Sequence, residues 1–322
     1  MNRSEFIKTA SLSAGALLFT PMTKTSKKHV VRFGVIADLH QDIMHDGEAR
    51  LQAFIDDMQI RKPDFILQLG DFCIPKPENQ SLMSIWDQWS GPNYHVIGNH
   101  DTDGGYKREE TVKFWNAKGK YYSYDHQGFH FVVLDGNEHN PAPSRPKGYA
   151  RFISKKQLDW LSKDLDKTNK PTVVFCHQGL DNDAGGLENG SQVRYALEQA
   201  NHRSDAQKVI LVLTGHHHQD YYNHINDIHY VQINSASYQW LGSDYQHIRY
   251  SEAVNKSHPN IKKTVPYRDP LWAFIEIDSR GKIEISGRHS EFVGPSPEKL
   301  GVDMSRYIYP IVPRISDRTL HI

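Results

Sequence analysis

Cysteine is almost missing from this chain: Cys73 and Cys176 are the two thiols in 322 residues. Two thiols make no disulfide framework, so a packed core must hold the fold. Both read as free buried thiols. Each lies close in sequence to a candidate site residue, which predicts that they approach each other in space. An excess charge of one sign is also missing, with Lys plus Arg at 38 and Asp plus Glu at 38. That removes the basic field nucleic acid calls for and the acidic field a cationic partner calls for. Past the first residues, no run is apolar enough to span a bilayer. No internal repeat and no linker interrupts residues 27–322. They are expected to form one domain, ending in an irregular, proline-containing tail over about 295–322.

The start, 1-MNRSEFIKTASLSAGALLFTP-21, has a short basic region (Arg3, Lys8) and then an apolar run from Ala14 to Phe19. This predicts an export signal over residues 1–26 and a periplasmic destination. It resembles a twin-arginine signal, with Ser4 where the second arginine would stand. The run is too short for a span, and no cysteine follows it to carry a lipid anchor.

Histidine is what the chain has in excess, 19 residues. Imidazole is the commonest metal ligand among side chains, so the count points toward a metal site. The organisation around the histidines is regular. The run 29-HVVRFGVIA-37 reads as a buried strand that breaks at 38-DLH-40. Leu51, Phe54, Ile55 and Met58 follow at helical spacing and stop near Lys62-Pro63. The strand 64-DFILQLG-70 ends at Asp71. A helix over about 80–89 leads to a strand, 94-YHVIG-98, that ends at 99-NHD-101. The runs 121-YYSYD-125 and 129-FHFVVLD-135 flank a hairpin turn at His126-Gln-Gly. A proline-rich loop, 140-NPAPSRPKG-148, precedes a helix over 154–165. The strands 172-TVVFC-176 and 208-KVILVLTG-215 end at His177 and at 216-HHH-218. Late strands at 228–233, 271–277 and 282–286 read as antiparallel.

Five predicted strand ends thus carry five polar clusters: 38-DLH-40, 70-GD-71, 98-GNHD-101, 176-CHQ-178 and 215-GHHH-218. Parallel strands present such loops at one edge of a sheet. Taken singly, Asp38, Asp71 and Asp101 could be helix N-caps. Capping does not call for imidazoles, so the combination with His40, His177 and His218 points to a constellation instead. Cys176 precedes His177 on a strand and so faces the opposite way, into the core.

In order and content the five clusters resemble the calcineurin-like metallophosphoesterase superfamily, whose pattern is D-x-H, GD, GNH-[DE], a lone His and GH-x-H. The resemblance spans about residues 30–220. It implies an α/β fold, a four-layer α-β-β-α sandwich of two mixed β-sheets. It also implies a dinuclear centre, with one metal on Asp38, His40 and His218, the other on Asn99, His177 and His216, and Asp71 bridging. The ions would be divalent or trivalent, iron, manganese or zinc, since mixed nitrogen and oxygen donors accept several. Two cations ~3.5–4 Å apart clamp attacking and leaving oxygens at phosphorus, and a water they share is acidified into a nucleophile. His100 would protonate the leaving oxygen, and Asp101 would orient it or brace the loop. The motif spacing resembles the cyclic-nucleotide and glycerophosphodiester phosphodiesterases and the ADP-ribose/CDP-alcohol diphosphatases. The implied substrate is a small-molecule phosphodiester or diphosphate. A phosphomonoesterase on the same core and a non-catalytic metal-binding scaffold are the alternatives. One departure is visible: many relatives carry an acidic or Asn residue soon after GD, whereas here the run is 71-DFCIPKP-77.

Three smaller expectations complete the reading. In the triplet, His216 and His218 should face the metals and His217 away, because residues two apart on a strand share a face. Tyr149, Tyr221, Tyr222, Tyr238 and Trp240 flank the clusters as pocket walls or ordinary packing. Arg145 and Arg151 are candidates to hold a second phosphate.

Overall fold

The structure is a computed structural model and describes residues 29–182 and 184–322; the expected export signal lies outside these residues. In chain order the first half comprises strand β1 (Val30–Ile36), helix α1 (Gly47–Arg61), β2 (Phe65–Gln68), α2 (Gln80–Trp86), β3 (Asn93–His95), α3 (Arg108–Phe114), β4 (Tyr122–His126) and β5 (Phe129–Val133). It continues with α4 (Lys155–Asp166), β6 (Thr172–Cys176), α5 (Gly190–His202), β7 (Val209–Thr214), β8 (Tyr222–Ile225), β9 (Ile228–Gln232) and β10 (Tyr238–Trp240). The last stretch holds α6 (Glu252–Ser257), β11 (Thr264–Pro266), β12 (Ala273–Asp278), β13 (Lys282–Ser286) and β14 (Arg318–His321).

Two six-stranded mixed sheets face each other, ordered β14-β13-β12-β1-β2-β3 and β4-β5-β6-β7-β9-β8. The central strands are apolar on both faces, and each face has its own destination. On β1, Val31, Phe33 and Val35 enter the core between the sheets, while Ile36 joins an outer core with Leu51, Phe54 and Met58 of α1 and Trp86 of α2. On β6, Val173 and Phe175 point inward, and Val174 and Cys176 pack outward with Leu161 of α4 and Val193 and Leu197 of α5. The result is the expected α-β-β-α sandwich of two mixed sheets.

Local chemistry sets the element ends. Lys62 takes a left-handed conformation (φ 51°) and returns its N–H to Met58 O, closing α1 before Pro63. Ser154 caps α4 by accepting from Gln157 N at 3.4 Å. Gln127 (φ 47°) and Gly128 (φ 84°) both lie in the left-handed region, as the two-residue turn between β4 and β5 requires.

Several expectations need correction. The strand at Ile228–Gln232 is antiparallel to β8 but parallel to β7, and it belongs to the second sheet, whereas β12 and β13 extend the first. An apolar run carries no information on strand direction, which the connection decides. The tail is irregular up to Ser316, but Arg318–His321 then pairs with β13 and sends Leu320 into the core between the sheets. Cys73 and Cys176 are free, and they lie in the two outer cores on opposite sides of the sandwich. Proximity in sequence to one site did not bring them together, because Cys73 packs in the core beneath α1 and α2 and Cys176 in the one beneath α4 and α5.

Candidate metal centre

The loops after β1, β2, β3, β6 and β7 meet where the carboxyl ends of the two sheets converge. Backbone hydrogen bonds lock the first two together: Asp38 N donates to Gly70 O at 3.0 Å and His40 N to Asp71 O at 2.9 Å. The glycines of these loops are where backbones touch. A Cβ on Gly98 would stand 2.2 Å from both Asp71 N and Asp71 Oδ1; one on Gly70, already at φ 98°, would stand 2.3 Å from His177 Nδ1.

The backbone of the centre is unusual. Asp38, His40, Asp71, His216 and His218 all have positive φ, between 50° and 75°. Left-handed backbone costs a non-glycine residue roughly 1–3 kcal/mol and persists where the surroundings over-determine it. Strand β7 ends at Thr214, so the histidine triplet belongs to a loop and not to the strand. Its alternation comes from left-handed residues on either side of His217 instead of from a pleat.

These turns bring six side chains into two groups, Asp38 with His40 and His218, and Asp71 with His177 and His216; within each group one potential ligand atom per residue lies within 4.8 Å of the others. The groups touch. Asp71 Oδ2 is 3.1 Å from His177 Nε2 and 3.6 Å from His40 Nε2, and His40 Nε2 lies 3.1 Å from His218 Nε2. Asp38 Oδ1 is 3.2 Å from His218 Nε2 and 3.8 Å from His177 Nε2. All but His216 are buried.

Ring orientation fixes which nitrogen faces inward. His177 Nδ1 bonds Leu69 O at 2.9 Å and His218 Nδ1 bonds Tyr238 O at 2.7 Å, so each ring turns the lone pair of Nε2 to the cluster. His216 is reversed: Nε2 bonds Gly185 O at 3.1 Å, leaving Nδ1 for the cluster. Asn99 is buried, and its Oδ1 has no hydrogen-bond partner; neither has His177 Nε2, despite its closeness to Asp71. Unpartnered buried acceptors beside two carboxylates suit a cation, and the nitrogen and oxygen donors suit a first-row metal.

The field in the cluster is strong. Burial pushes His40 and His216 well below the usual imidazole range. Burial acts the same way on His177, but the carboxylates of Asp71 and Asp38 outweigh it and raise that pKa to about 10. Burial would raise the Asp71 carboxyl; the imidazoles of His177, His100 and His40 hold it well below the usual range.

His100 belongs to neither group. Its N–H donates to Asp71 Oδ1 at 2.8 Å, and its ring, a third exposed, lines a cavity of about 280 Å³ with His40, His218, Tyr238 and Trp240. Its Nδ1 lies 2.7 Å from Asp103 Oδ2 and 3.2 Å from Tyr149 Oη, and Tyr149 Oη donates to Asp103 Oδ1 at 2.8 Å. Burial lowers its pKa, but Asp71 and Asp103 prevail and lift it to about 9. Asp101 turns away from this ring. Its carboxylate accepts the N–H groups of Asp71, Phe72 and Gly98 at 2.7–2.9 Å and so braces two of the five loops.

His217 lies beside His216, 5.2 Å between ring centroids, and packs toward Gly179 and Tyr221, outside both groups. Asp103 and Tyr149 are the partners that sequence reasoning missed; Tyr149 was placed only among possible pocket walls. The spacing of Asp103 three residues after His100 was the available signal. Asp42, from the loop after β1, accepts from Ile74 N at 2.9 Å and Asn79 Nδ2 at 3.0 Å and so pins the segment that follows Asp71.

Comparison with known proteins agrees with this geometry. The manganese-dependent ADP-ribose/CDP-alcohol diphosphatase of Arabidopsis thaliana is 25% identical, over 67% of this chain and 89% of its own length. A 3',5'-cyclic-nucleotide phosphodiesterase of Nostoc sp. is 26% identical, over 65% of this chain and 74% of its own. Two solved structures share the fold: a dimetal phosphatase from Danio rerio, at TM-score 0.57 and 14% identity over 83% of this chain and all of that one, and GAP50, the anchor in the inner membrane complex of Plasmodium, at TM-score 0.55 and 15% identity over 91% and 89%. The calcineurin-like phosphoesterase model matches residues 31–220, more than half of the chain. With that match, and two ligand groups sharing one edge of the sandwich, the chain belongs to the calcineurin-like phosphoesterase family of metal-dependent phosphohydrolases.

Proposed function

We propose that this protein hydrolyses a small-molecule phosphodiester or diphosphate at a dinuclear centre. One ion would sit on Asp38, His40 and His218, the other on Asn99, His177 and His216, with Asp71 between them. When bound, the two ions supply Lewis-acid charge and an acidified water for in-line displacement at phosphorus. Asp71 supports the bridging role by approaching a histidine of each group. The donor set holds no thiolate, so manganese, iron and zinc remain the ions to test. The names of the two relatives favour diesters and diphosphates over monoesters.

The observation that carries the catalytic reading is His100. A metal store or scaffold needs the ligands but has no use for a ring held by Asp103 and Tyr149 and open to the cavity. With Nδ1 engaged by Asp103, Nε2 is the atom left to give a proton to the leaving oxygen. General acid catalysis of this kind contributes about 10²–10⁴-fold.

The test is His100→Ala, measured by metal analysis and by kcat on a panel of mono-, di- and pyrophosphate esters. Both metals are expected to stay bound while kcat on the best ester falls about 10²–10⁴-fold. Wild-type turnover in this variant would remove His100 from the acid role, and no hydrolysis by the metal-loaded wild type would favour the scaffold.

A further inference from the structure

Two side chains set the orientation of the His100 ring, and they come from opposite sheets. Asp103 stands three residues on, in the loop after β3, and Tyr149 lies on the chain that leaves β5. The polar atoms form a triangle. His100 Nδ1 is 2.7 Å from Asp103 Oδ2, Tyr149 Oη is 2.8 Å from Asp103 Oδ1, and Tyr149 Oη is 3.2 Å from His100 Nδ1. A phenol has one proton to donate, and a carboxylate only accepts. The Tyr149 proton therefore goes to Asp103, and both oxygens beside Nδ1 are acceptors. That places the ring's fixed proton on Nδ1 and leaves Nε2 to carry the proton that is transferred.

Asp103 cannot hold this arrangement by itself. Its backbone breaks the helical turn that begins at His100 (φ −59°, ψ 157°), and Gly104 and Gly105 follow at φ 77° and 89°. A Cβ on Gly105 would meet nothing within 4 Å, so packing does little to fix this turn. Among the described residues, the Asp103 carboxylate receives hydrogen bonds from His100 and Tyr149 alone. Without the phenol, Asp103 would be tied only to the ring it orients, and the two could swing together. Tyr149 stands on firmer ground. Two residues on, Arg151 O accepts from Glu188 N at 2.7 Å, and the Arg151 guanidinium donates to Gly186 O at 3.0 Å. Phe152 N then donates to Gly136 O at 2.8 Å. Resting on the phosphohydrolase reading, we propose that Tyr149 is a positioning residue for the proton transfer: its hydroxyl holds Asp103 still and, through it, keeps His100 Nε2 aimed at the leaving oxygen. The need for it grows with the basicity of that oxygen. A strongly basic oxygen departs only as its proton arrives, and a weakly basic one departs without it.

Tyr149→Phe removes the hydroxyl and keeps the ring, which is exposed and outside the core. The test compares kcat of the metal-loaded full chain on two diesters. Diphenyl phosphate releases a phenolate about as basic as that of tyrosine, and bis(4-nitrophenyl) phosphate releases a far weaker base. In the variant, kcat on diphenyl phosphate should fall about ten-fold further than kcat on bis(4-nitrophenyl) phosphate, the rate equivalent of one hydrogen bond. KM for both diesters and the metal content should match the wild type. Equal falls on the two diesters, no fall on either, or a change in KM alone would overturn the proposal. Proton NMR of the zinc-loaded protein reads the triangle without turnover. The wild type should show a downfield Nδ1–H line that His100→Ala lacks and that broadens into solvent exchange in Tyr149→Phe. The same line in the wild type and in Tyr149→Phe, or no such line in the wild type, overturns the proposal whatever the enzyme hydrolyses. A line that behaves as expected in a wild type inactive on every ester upholds the positioning of the ring and overturns the phosphohydrolase reading behind it.

Discussion

At the scale of single residues, three adjacent histidines divide their work by backbone conformation. His216 and His218 have φ of 75° and 52° and turn toward different ligand groups, while His217 packs against Tyr221. Metal analysis of three alanine variants should therefore separate them. His216→Ala and His218→Ala should each lower occupancy by about one ion of the two a dinuclear centre holds; His217→Ala should keep both. Loss of metal from the His217 variant would break the assignment. Most of the candidate ligands were legible in the sequence because each ends a buried strand, and the spacing between clusters preserves their order. Asp103 and Tyr149 were not, since nothing local marks which loop will come to lie against His100. The side on which each triplet histidine falls was also legible, though pleating gave it for the wrong reason.

At the scale of elements, β1, β2, β6 and β7 were plain because strands buried on both faces read as unbroken apolar runs between polar turns. Helix α5 was missed because its buried face is thin, with Val193, Leu197 and Ala200 as its apolar members. β9 shows the other limit, since its partners were set by the connection and not by its residues. Strand β3 carries a testable group. His95 is buried with its ring centroid 5.1 Å from that of Trp86 and 5.5 Å from that of Trp115, and burial pushes its pKa down to about 3. The unfolded ring takes up a proton below pH ~6.5, while the folded one refuses it until about 3. This group therefore leaves stability unchanged above pH ~6.5 and lowers it as the pH falls from there toward 3. Between pH 6.5 and 5 the loss is about 2 kcal/mol. His95→Phe, followed by denaturant unfolding at both pH values, should lose about that much less than the wild type; parallel pH profiles would contradict the assignment.

At the scale of the whole molecule, the end of the chain is a structural member. β14 covers the outer edge of β13, places Leu320 in the core between the sheets and lets His321 O accept from His229 Nε2 at 3.0 Å, a link to the other sheet. Arg318 adds an ion pair to buried Asp220 at 2.8 Å. Removing residues 317–322 exposes one core leucine and a strand edge. The cost should be about 3 kcal/mol from the apolar burial and lost hydrogen bonds, with a tendency to associate through the bared edge. Thermal unfolding and light scattering read these two effects, and an unchanged midpoint would show that the tail is dispensable.

The five left-handed residues at the centre have a consequence for anyone who would move it. The candidate ligand side chains cannot be transplanted one at a time onto another pair of strands, because their directions are not properties of strands. They depend on turns that hold Asp38, His40, Asp71, His216 and His218 at positive φ. A graft that copies the motif letters but not the interlocked loops would present the same imidazoles and carboxylates to solvent in different directions. The unit that can be carried from one scaffold to another is the set of five loops together.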